Sequence, residues 1–473
     1  MSNFTTVVRL AYLVSAVCFV LGLHLMNSPA RARRGNTISA SGMALAIIVT
    51  IIDVAHVGTI TGLGWAVVAA GVVVGGVAGL VGARGVKMTD MPQLVSLFNA
   101  AGGGAAALVA ITEFVRIAQH HSLDLSTRTS VATVLDVVIG AVTFSGSLIA
   151  AGKLQGIVNS APVTFPAVRL LNGVLALGAV AGGAVLIWGD HRSILVLAII
   201  LVLGLVFGVT MVMPIGGADM PVVISLLNAF TGTAVAMAGF VIDNSVLIIA
   251  GALVGASGSI LTKLMATAMN RSIRNIIVGG FGTSDVATAT TAGADQIRAV
   301  AADDVALQLA YASKVIFVPG YGLAVAQAQH EMAALADLLE KRGVDVSYAI
   351  HPVAGRMPGH MNVLLAEANV PYPLLKEMEE INPEFGRADI ALVVGANDVV
   401  NPAARRSDSV ISGMPILDVD HAKNIVVMKR SMGYGYAGID NELFTDPKTG
   451  MFFADAKDGL ATLISAVKAL VAS

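Results

Sequence analysis

Nine apolar segments fill the first 268 positions of the chain. A helix needs roughly 20 apolar residues to cross a bilayer, where the backbone must satisfy its own hydrogen bonds. The pattern predicts spanning helices at about 4–25, 37–55, 62–83, 91–113, 130–152, 166–187, 192–213, 220–241 and 245–268. Charge divides the same way: 20 of the 60 Asp, Glu, Lys and Arg side chains lie in 1–269 and 40 in 270–473. The first apolar run has no small-residue cleavage site after it and is expected to be a retained span. Gly and Ala crowd the spans, which favours close helix packing in lipid. The single cysteine, Cys18, excludes an internal disulfide, and a net charge of −2 gives no reason to propose nucleic acid as a partner.

Basic residues orient the bundle. Loops on the side of the C-terminus would hold Arg31, Arg33, Arg34, Arg84, Lys87, Lys153, Arg271 and Arg274, with Arg169 close by; the other side would hold Arg116, Arg128 and Arg192. The C-terminal half is therefore expected in the cytoplasm (or on the matrix side, in an organelle) and the N-terminus outside, as in a multi-pass protein of the inner, or plasma, membrane.

Within the bundle one segment is written twice. "DMPQLVSLFNAAGGG" begins at Asp90 and "DMPVVISLLNAFTGT" at Asp219. Each Asp is placed to cap its helix, and Pro is tolerated in a first turn. The following spans, "GAVTFSGSLIAAGKL" (140–154) and "GALVGASGSILTKL" (251–264), also share GA, SGS and Lys-Leu. The expectation is a duplicated helical hairpin, of the kind found as parallel repeats in transporters. Asn99 and Asn228 lie about nine residues inside their helices, near mid-membrane by the 1.5 Å rise. Ser145, Ser147, Ser257 and Ser259 lie in the adjoining spans and read most simply as helix–helix glue. The two asparagines with Asp219 point instead to an ion or proton route. Asp53 and His56 could pair at i, i+3; Asp136 and Glu113 are weaker candidates. None of the nine histidines lies mid-span, and His120, His121 and His191 fall in outer loops.

After a Gly/Thr-rich hinge at 270–295 the pattern becomes short β-branched runs alternating with amphipathic helices. Strands are predicted in 314–320, 344–350, 389–396 and 424–430, helices over 321–343 and 360–370, and a closing helix over 458–470. That alternation means a Rossmann-like, doubly wound parallel sheet in a domain over 296–473. Gly320-Tyr321-Gly322-Leu323-Ala324-Val325 follows the first strand and opens a helix, the setting in which glycines admit a dinucleotide pyrophosphate. An ordinary strand–helix turn is the competing reading. Lys429, Arg430 and Ser431 end a strand before a glycine-rich loop; two cations and a hydroxyl suit the 2′-phosphate of NADP, and a solvated basic pair is the alternative. "HPVAGRMPGH" and "GANDVVNP" are further loops at C-terminal strand ends, where Arg356 could grip a phosphate and Asn397 and Asp398 could face the nicotinamide.

"VPGYGLAVAQAQ", "IHPVAGRMPGHMNVLLAEANVPY", "GANDVVNPAA", "GGADMPVVISLLN", "GAVTFSGS" and "KRSMGYGYAG" together resemble the beta subunit of the proton-translocating NAD(P) transhydrogenase. The likeness runs through essentially the whole chain. It implies hydride transfer between NAD(H) and NADP(H) coupled to proton passage, through residues 1–269 as a transmembrane proton-channel domain. It places NADP(H) on Tyr321; on Val353, Ala354, Gly355, Arg356, Met357 and Pro358; on Gly395, Ala396, Asn397, Asp398 and Val399; and on Gly413 and Met414. Further contacts would be Lys429, Arg430, Ser431, Met432, Gly433, Tyr434, Gly435, Tyr436, Asp455 and Ala456. Asp219, Asn228 and Ser147 would lie in the proton path, with Asn99 where some members carry a membrane histidine. The assembly implied is a dimer of alpha–beta units.

Hydride exchange needs two nucleotides, and the chain holds one fingerprint. The NAD(H) site must then come from another polypeptide, the family's alpha subunit. Direct transfer between two nicotinamide rings requires no metal or flavin. Two other classes compete: an ion channel or secondary transporter that senses a nucleotide, and an inert membrane anchor, which the polar mid-span repeat argues against.

Overall fold

The computed structural model describes residues 3–26, 29–58, 60–87, 90–119, 126–159, 163, 167–189, 193–216, 219–268, 273, 297–355, 359–407, 409, 411–435, 437 and 439–472. Contacts divide the chain into two compact units, one containing Met1–Thr262 and the other Phe281–Ser473. Of the hinge expected at 270–295, only Ile273 is among the described residues.

The first unit is helical: α1 Asn3–Leu25, α2 Pro29–Val57, α3 Gly62–Gly85, α4 Met91–Gln119, α5 Thr127–Leu154, α6 Val168–Trp188, α7 Ile194–Val212, α8 Met220–Val241 and α9 Ser245–Ala268. All nine are long and apolar enough to cross a membrane, so this is a multi-pass membrane protein. Several starts are fixed by side-chain caps: Thr61 accepts from Gly64 N, Ser126 from Thr129 N and Ser193 from Val196 N. Asn244 Oδ1 accepts from Val246 N and Leu247 N at the head of α9. The largest boundary error is in α2, which takes Arg31, Arg33 and Arg34 into its first two turns. Its 29 residues are about 43 Å long by the helical rise, well beyond the hydrocarbon thickness, so polar turns project from the core.

α1 and α2 pair with each other; α4, α5, α7 and α8 pack together, and α6 lies against α5 and α7. The duplicated hairpin is present as two like crossings. A Cβ added to Gly140 would meet Gly103 O at 2.6 Å; one added to Gly251 would meet Gly232 O at 2.6 Å. Only glycine lets the backbones of α4 and α5, and of α8 and α9, approach this closely. Ser96 Oγ donates to Ser147 O at 2.8 Å, and its counterpart Ser225 donates to Gly258 O at 3.4 Å. Ser147 thus corresponds to Gly258, and the two SGS stretches, which look equivalent in sequence, are out of register by one residue. α4 and α8 meet at matching positions. Asn99 Nδ2 donates to Ile224 O at 3.3 Å, Thr231 Oγ1 to Asn99 O at 3.3 Å, and Ala106 packs with Ala234 and Ala238. Contacts advance together along both helices, so α4 and α8 run parallel.

In the second unit the elements are α10 Ala302–Tyr311, β1 Lys314–Pro319, α11 Tyr321–Ala326, α12 Gln329–Glu340, β2 Asp345–Ile350, α13 His360–Glu367, β3 Leu375–Glu377, α14 Met378–Ile381, β4 Ile390–Val394, β5 Asn424–Lys429, β6 Thr449–Phe453 and α15 Ala456–Ala472. The six strands form one sheet in the order β3-β2-β1-β4-β5-β6, and every pairing is parallel. Ile316, Val318, Ala391, Val393, Ile425 and Val427 pack on one face against Ile381, Phe385, Leu417, Val419, Leu443 and Phe444. The central strands β1, β4 and β5 are buried over most of their length, as a sheet covered on both faces requires, whereas the edge strand β3 has no buried residue.

The helix expected over 321–343 is broken in two. Gln327 adopts φ +52°, and Ala328 N closes α11 onto Leu323 O. A left-handed cap usually carries Gly, so Gln gave no warning. The far end follows the expectation: Gly343, φ +85°, ends the helix, with Val344 N bonded to Leu339 O.

Candidate functional site

The order of connection reverses between β1 and β4, and the crevice beyond their carboxyl ends is where doubly wound sheets bind ligands. Two glycine loops meet there. Gly320 N donates to Val394 O at 2.9 Å and Gly322 N to Gly395 O at 2.9 Å. A Cβ on Gly320 would fall on Gly395 O and Ala396 N, and Gly395 itself has φ +69°. The strand-end backbones therefore pack against each other with no room for side chains. The third fingerprint position, Val325, is 45% exposed, so no glycine is needed where the helix faces away from the sheet.

The loops on the β4 and β5 side are stitched together by side-chain amides. Asn441 Nδ2 donates to Asn397 O at 2.9 Å, and Asn441 Oδ1 accepts from Leu443 N. Asn401, fully buried, donates to Asp440 O and accepts from Ala403 N. Asp398 Oδ2 accepts from Ala437 N at 3.0 Å, and a Cβ on Gly435 would fall on the Asp398 carboxylate. Lys429 Nζ donates to Gly433 O at 2.8 Å and lies 4.5 Å from the centre of the Phe444 ring. Burial pushes the Lys429 ammonium below the usual lysine range, partly offset by Asp398. With the Asn397 amide oriented to face its donors, its oxygen accepts from Lys429 Nζ at 3.3 Å and Gly435 N at 2.7 Å. Arg430, Ser431, Met432, Gly433 and Tyr434 are exposed, and Ser431 Oγ accepts from Gly433 N. Beside them Asp455 Oδ1 accepts from Lys457 N at the head of α15, next to buried Ala456, and Ala454 N bonds Lys429 O.

His351 joins the remaining loops. Its Nδ1 accepts from Val353 N at 3.2 Å and its Nε2 donates to Pro415 O at 2.9 Å, the tautomer that serves both partners. The ring is 1% exposed, and burial lowers its pKa to about 4. It connects the turn of Val353, Ala354 and Gly355 (φ +103°) to the segment of Gly413 (φ +75°) and Met414. Of the residues expected around the nucleotide, Arg356, Met357, Pro358 and Tyr436 lie outside the described residues. The rest, from Gly320 to Ala456, lie in the loops that follow β1, β2, β4, β5 and β6 at one edge of the sheet, or in the 413–414 segment tied to them.

In the membrane unit, Asn99, Ser147 and Asp219 are buried and Asn228 is half-buried. The Asn99 amide is held by α8 as described, whereas the Asn228 side chain has no hydrogen bond among the described residues. Ser147 Oγ has none either. Asp219 does not cap α8: its backbone, φ −91° and ψ −1°, is already helical, while a capping residue is extended. Ser145 donates to Leu205 O on α7, but Ser257 and Ser259 bond only within their own helix. Asp53 and His56 do not pair; the His56 ring lies against Phe4 with centroids 3.9 Å apart and planes tilted by 33°. Lys153, assigned by sequence to a loop, is buried and donates to Met213 O and Ile215 O beyond α7, where a helix C-terminus favours a cation.

A profile of the NAD(P) transhydrogenase beta subunit family matches residues 8–466. The chain belongs to that family. Two NAD(P) transhydrogenase beta subunits from Rhodospirillum rubrum are each 48% identical to it over 465 residues, covering 97% of this chain and 98% of theirs. Membership brings an oxidoreductase role as one subunit of a transhydrogenase, and a nucleotide-regulated channel or inert anchor is not favoured. The family's glycine and basic-loop motifs were legible in sequence. His351, Asn401 and Asn441 were not, because each acts through a main-chain partner distant in sequence and carries no spacing signature.

Proposed function

We propose that this chain is the NADP(H)-binding and proton-conducting subunit of a membrane transhydrogenase, working with an alpha subunit that brings NAD(H). Residues 1–269 form the proton domain, 270–295 link it, and 296–473 hold NADP(H). The observation that carries the reading is the crevice between β1 and β4. Its glycine contacts leave main chain where a dinucleotide's pyrophosphate would approach, and the exposed Arg430 and Ser431 stand on the neighbouring loop. Those residues fit a 2′-phosphate, with Lys429 fixing the loop that presents them. NADP(H), when bound, supplies the nicotinamide that exchanges hydride. The protein's part is to hold the loops of Gly395–Val399 and Lys429–Gly435 in one arrangement, through Asn397, Asn401 and Asn441.

A second nucleotide is required for exchange, and the second unit has one sheet with one such switch point among the described residues. An alpha partner, in a dimer of alpha–beta units, meets that need. The cytoplasmic placement of this unit follows from the basic loops of the membrane domain. Asp219, Asn228, Asn99 and Ser147 would line the proton path. The test is hydride transfer from NADPH to an NAD analogue in sealed vesicles containing both subunits. Transfer should acidify or alkalinise the lumen and respond to an uncoupler. Full exchange by the purified chain alone would overturn the two-subunit reading.

A further inference from the structure

Asp136 lies in α5 with its side chain fully buried, and neither carboxylate oxygen has a hydrogen-bond partner among the described residues. Thr133, one turn earlier, is also fully buried with its hydroxyl unpartnered. An acid that only glues helices together needs an acceptor or donor on the neighbouring helix, and Asp136 has neither. An isolated carboxylate in such a place is costly, so the group is stable there only when it binds a proton.

The position is informative. Asp136, Gly140, Thr143 and Ser147 recur at helical spacing and share one face of α5. That face meets α4: a Cβ on Gly103 would touch Thr143 and Gly140 O, and Ser147 O accepts from Ser96. Asp136 is about 13 Å along α5 from Thr127, and Ser147 is about 10 Å short of Leu154 at the other end. The acid and the Ser96–Asn99–Ser147 group therefore lie at different depths along the same α4–α5 interface.

Among the described residues, no neighbouring charge accounts for Asp136. On α4, Glu113 and Arg116 pair with each other, and Arg116 is exposed. Arg128, at the start of α5, lies over the Phe240 ring and 3.8 Å from Asp243, which follows α8. Arg169, the one charge on α6, is exposed, and α7 and α8 carry none. Lys153 is engaged at the far end of α5.

We propose that Asp136 is the proton-binding residue of this membrane domain, taking up a proton from the Thr127 end of α5 and releasing it along the Thr143–Ser147 face towards the Ser96–Asn99 part of α4. One O–H bond forms on uptake and the same bond breaks on release, so each cycle moves one proton and consumes no oxidant or reductant. The inference rests on the proton-coupled reading above and supplies what its asparagines lack, since an amide does not titrate in the usual pH range.

The test uses the complex of both subunits in sealed vesicles. Asp136→Asn should reduce proton uptake on the order of a hundredfold, the scale of losing a positioned proton-transfer group, while NADPH still binds. Asp136→Glu should restore uptake with a displaced pH profile. Infrared difference spectra between the NADP+ and NADPH states should show a protonated-carboxyl band in the wild type that is missing from Asp136→Asn. Wild-type uptake by Asp136→Asn, or an unchanged carboxyl band in that variant, would overturn the proposal. If the variant does not assemble, the absence of any carboxyl band from the wild type would do the same. Hydride transfer by the wild type with no proton movement at all would instead overturn the coupled reading on which this one rests.

Discussion

Gly322 donates its N–H to the carbonyl of Gly395 at 2.9 Å, so the loop after β1 and the loop after β4 share one backbone junction. A side chain on Gly395 would be strained twice. Its φ is +69°, and a Cβ would press on Gly322 and on Leu323 N. Gly343 offers a control, with φ +85° and nothing within 4 Å of an added Cβ. Gly343→Ala should cost only the left-handed backbone strain, about 1–2 kcal/mol. Gly395→Ala should add a displacement of the junction and lose NADPH affinity, which calorimetry on the purified chain will measure. Equal effects from the two substitutions would mean that the junction has no part in binding.

Nucleotide choice should depend on the loop after β5. Arg430 is exposed, whereas Lys429 spends its ammonium on Gly433 O. If Arg430 holds the 2′-phosphate, Arg430→Ala removes a charge-assisted contact worth roughly 1.5–3 kcal/mol, or about ten- to a hundredfold in affinity. That loss should fall on NADPH and spare NADH. Lys429→Ala should weaken both, because it also frees the Gly433 loop. Parallel losses for NADPH and NADH in Arg430→Ala would remove the 2′-phosphate assignment.

His351 gives the second unit a dependence on acid. Its pKa is lowered by burial to about 4, against about 6.5 in an unfolded chain. The unfolded state therefore binds the extra proton between those values. Stability is full above about pH 6.5 and falls as pH drops towards 4, by up to about 3 kcal/mol. The protection factor at the Val353 amide, which donates to His351 Nδ1, should fall over that window when its hydrogen exchange is referred to the intrinsic rate at each pH. In His351→Gln the fall in protection should be much smaller. An exchange rate at Val353 with the same pH dependence in both proteins would show that the ring does not hold this turn.

Much of the architecture was readable because its signals are local. Runs of apolar residues mark spans wherever they occur, and β-branched runs before glycine turns mark β1, β2, β4 and β5. What escaped depends on partners far away in sequence. β3 is three residues long and β6 reads "TGMFF"; each is an edge strand that exists through pairing with β2 or β5. The repeat was visible, but its register in the second helix was not, because SGS recurs one residue away from the position that Ser96 and Ser225 select. Lys153 looked like a loop cation because hydropathy does not reveal that the carbonyls of Met213 and Ile215 are within its reach. The loops proposed for the nucleotide drew attention through their glycines and cations; Asn401 and Asn441, which help to fix them, were hidden for the same reason as Lys153.

The two repeated asparagines should behave differently despite their matching sequence positions. Asn99 is buried and its amide is used, donating to Ile224 O, while its carbonyl oxygen on the main chain accepts from Thr231. Asn228 is half-buried and its amide is uncommitted among the described residues. An interhelical hydrogen bond in a membrane protein contributes about 0.6 kcal/mol and at most about 1.7 kcal/mol. Asn99→Leu should lose up to that much stability in detergent, since it removes a bond between α4 and α8. Asn228→Leu removes no such bond and should unfold at the wild-type midpoint. If Asn228 serves the proton route, its replacement should abolish proton uptake in vesicles at full levels of assembled complex. Asp219→Asn tests the head of the same helix, and it too should reduce uptake if α8 lines the route, because the substitution removes the carboxylate but keeps the shape. Loss of folded complex in Asn228→Leu with normal uptake per remaining complex would make this asparagine a packing residue. Normal uptake in both Asn228→Leu and Asp219→Asn would remove α8 from the route altogether.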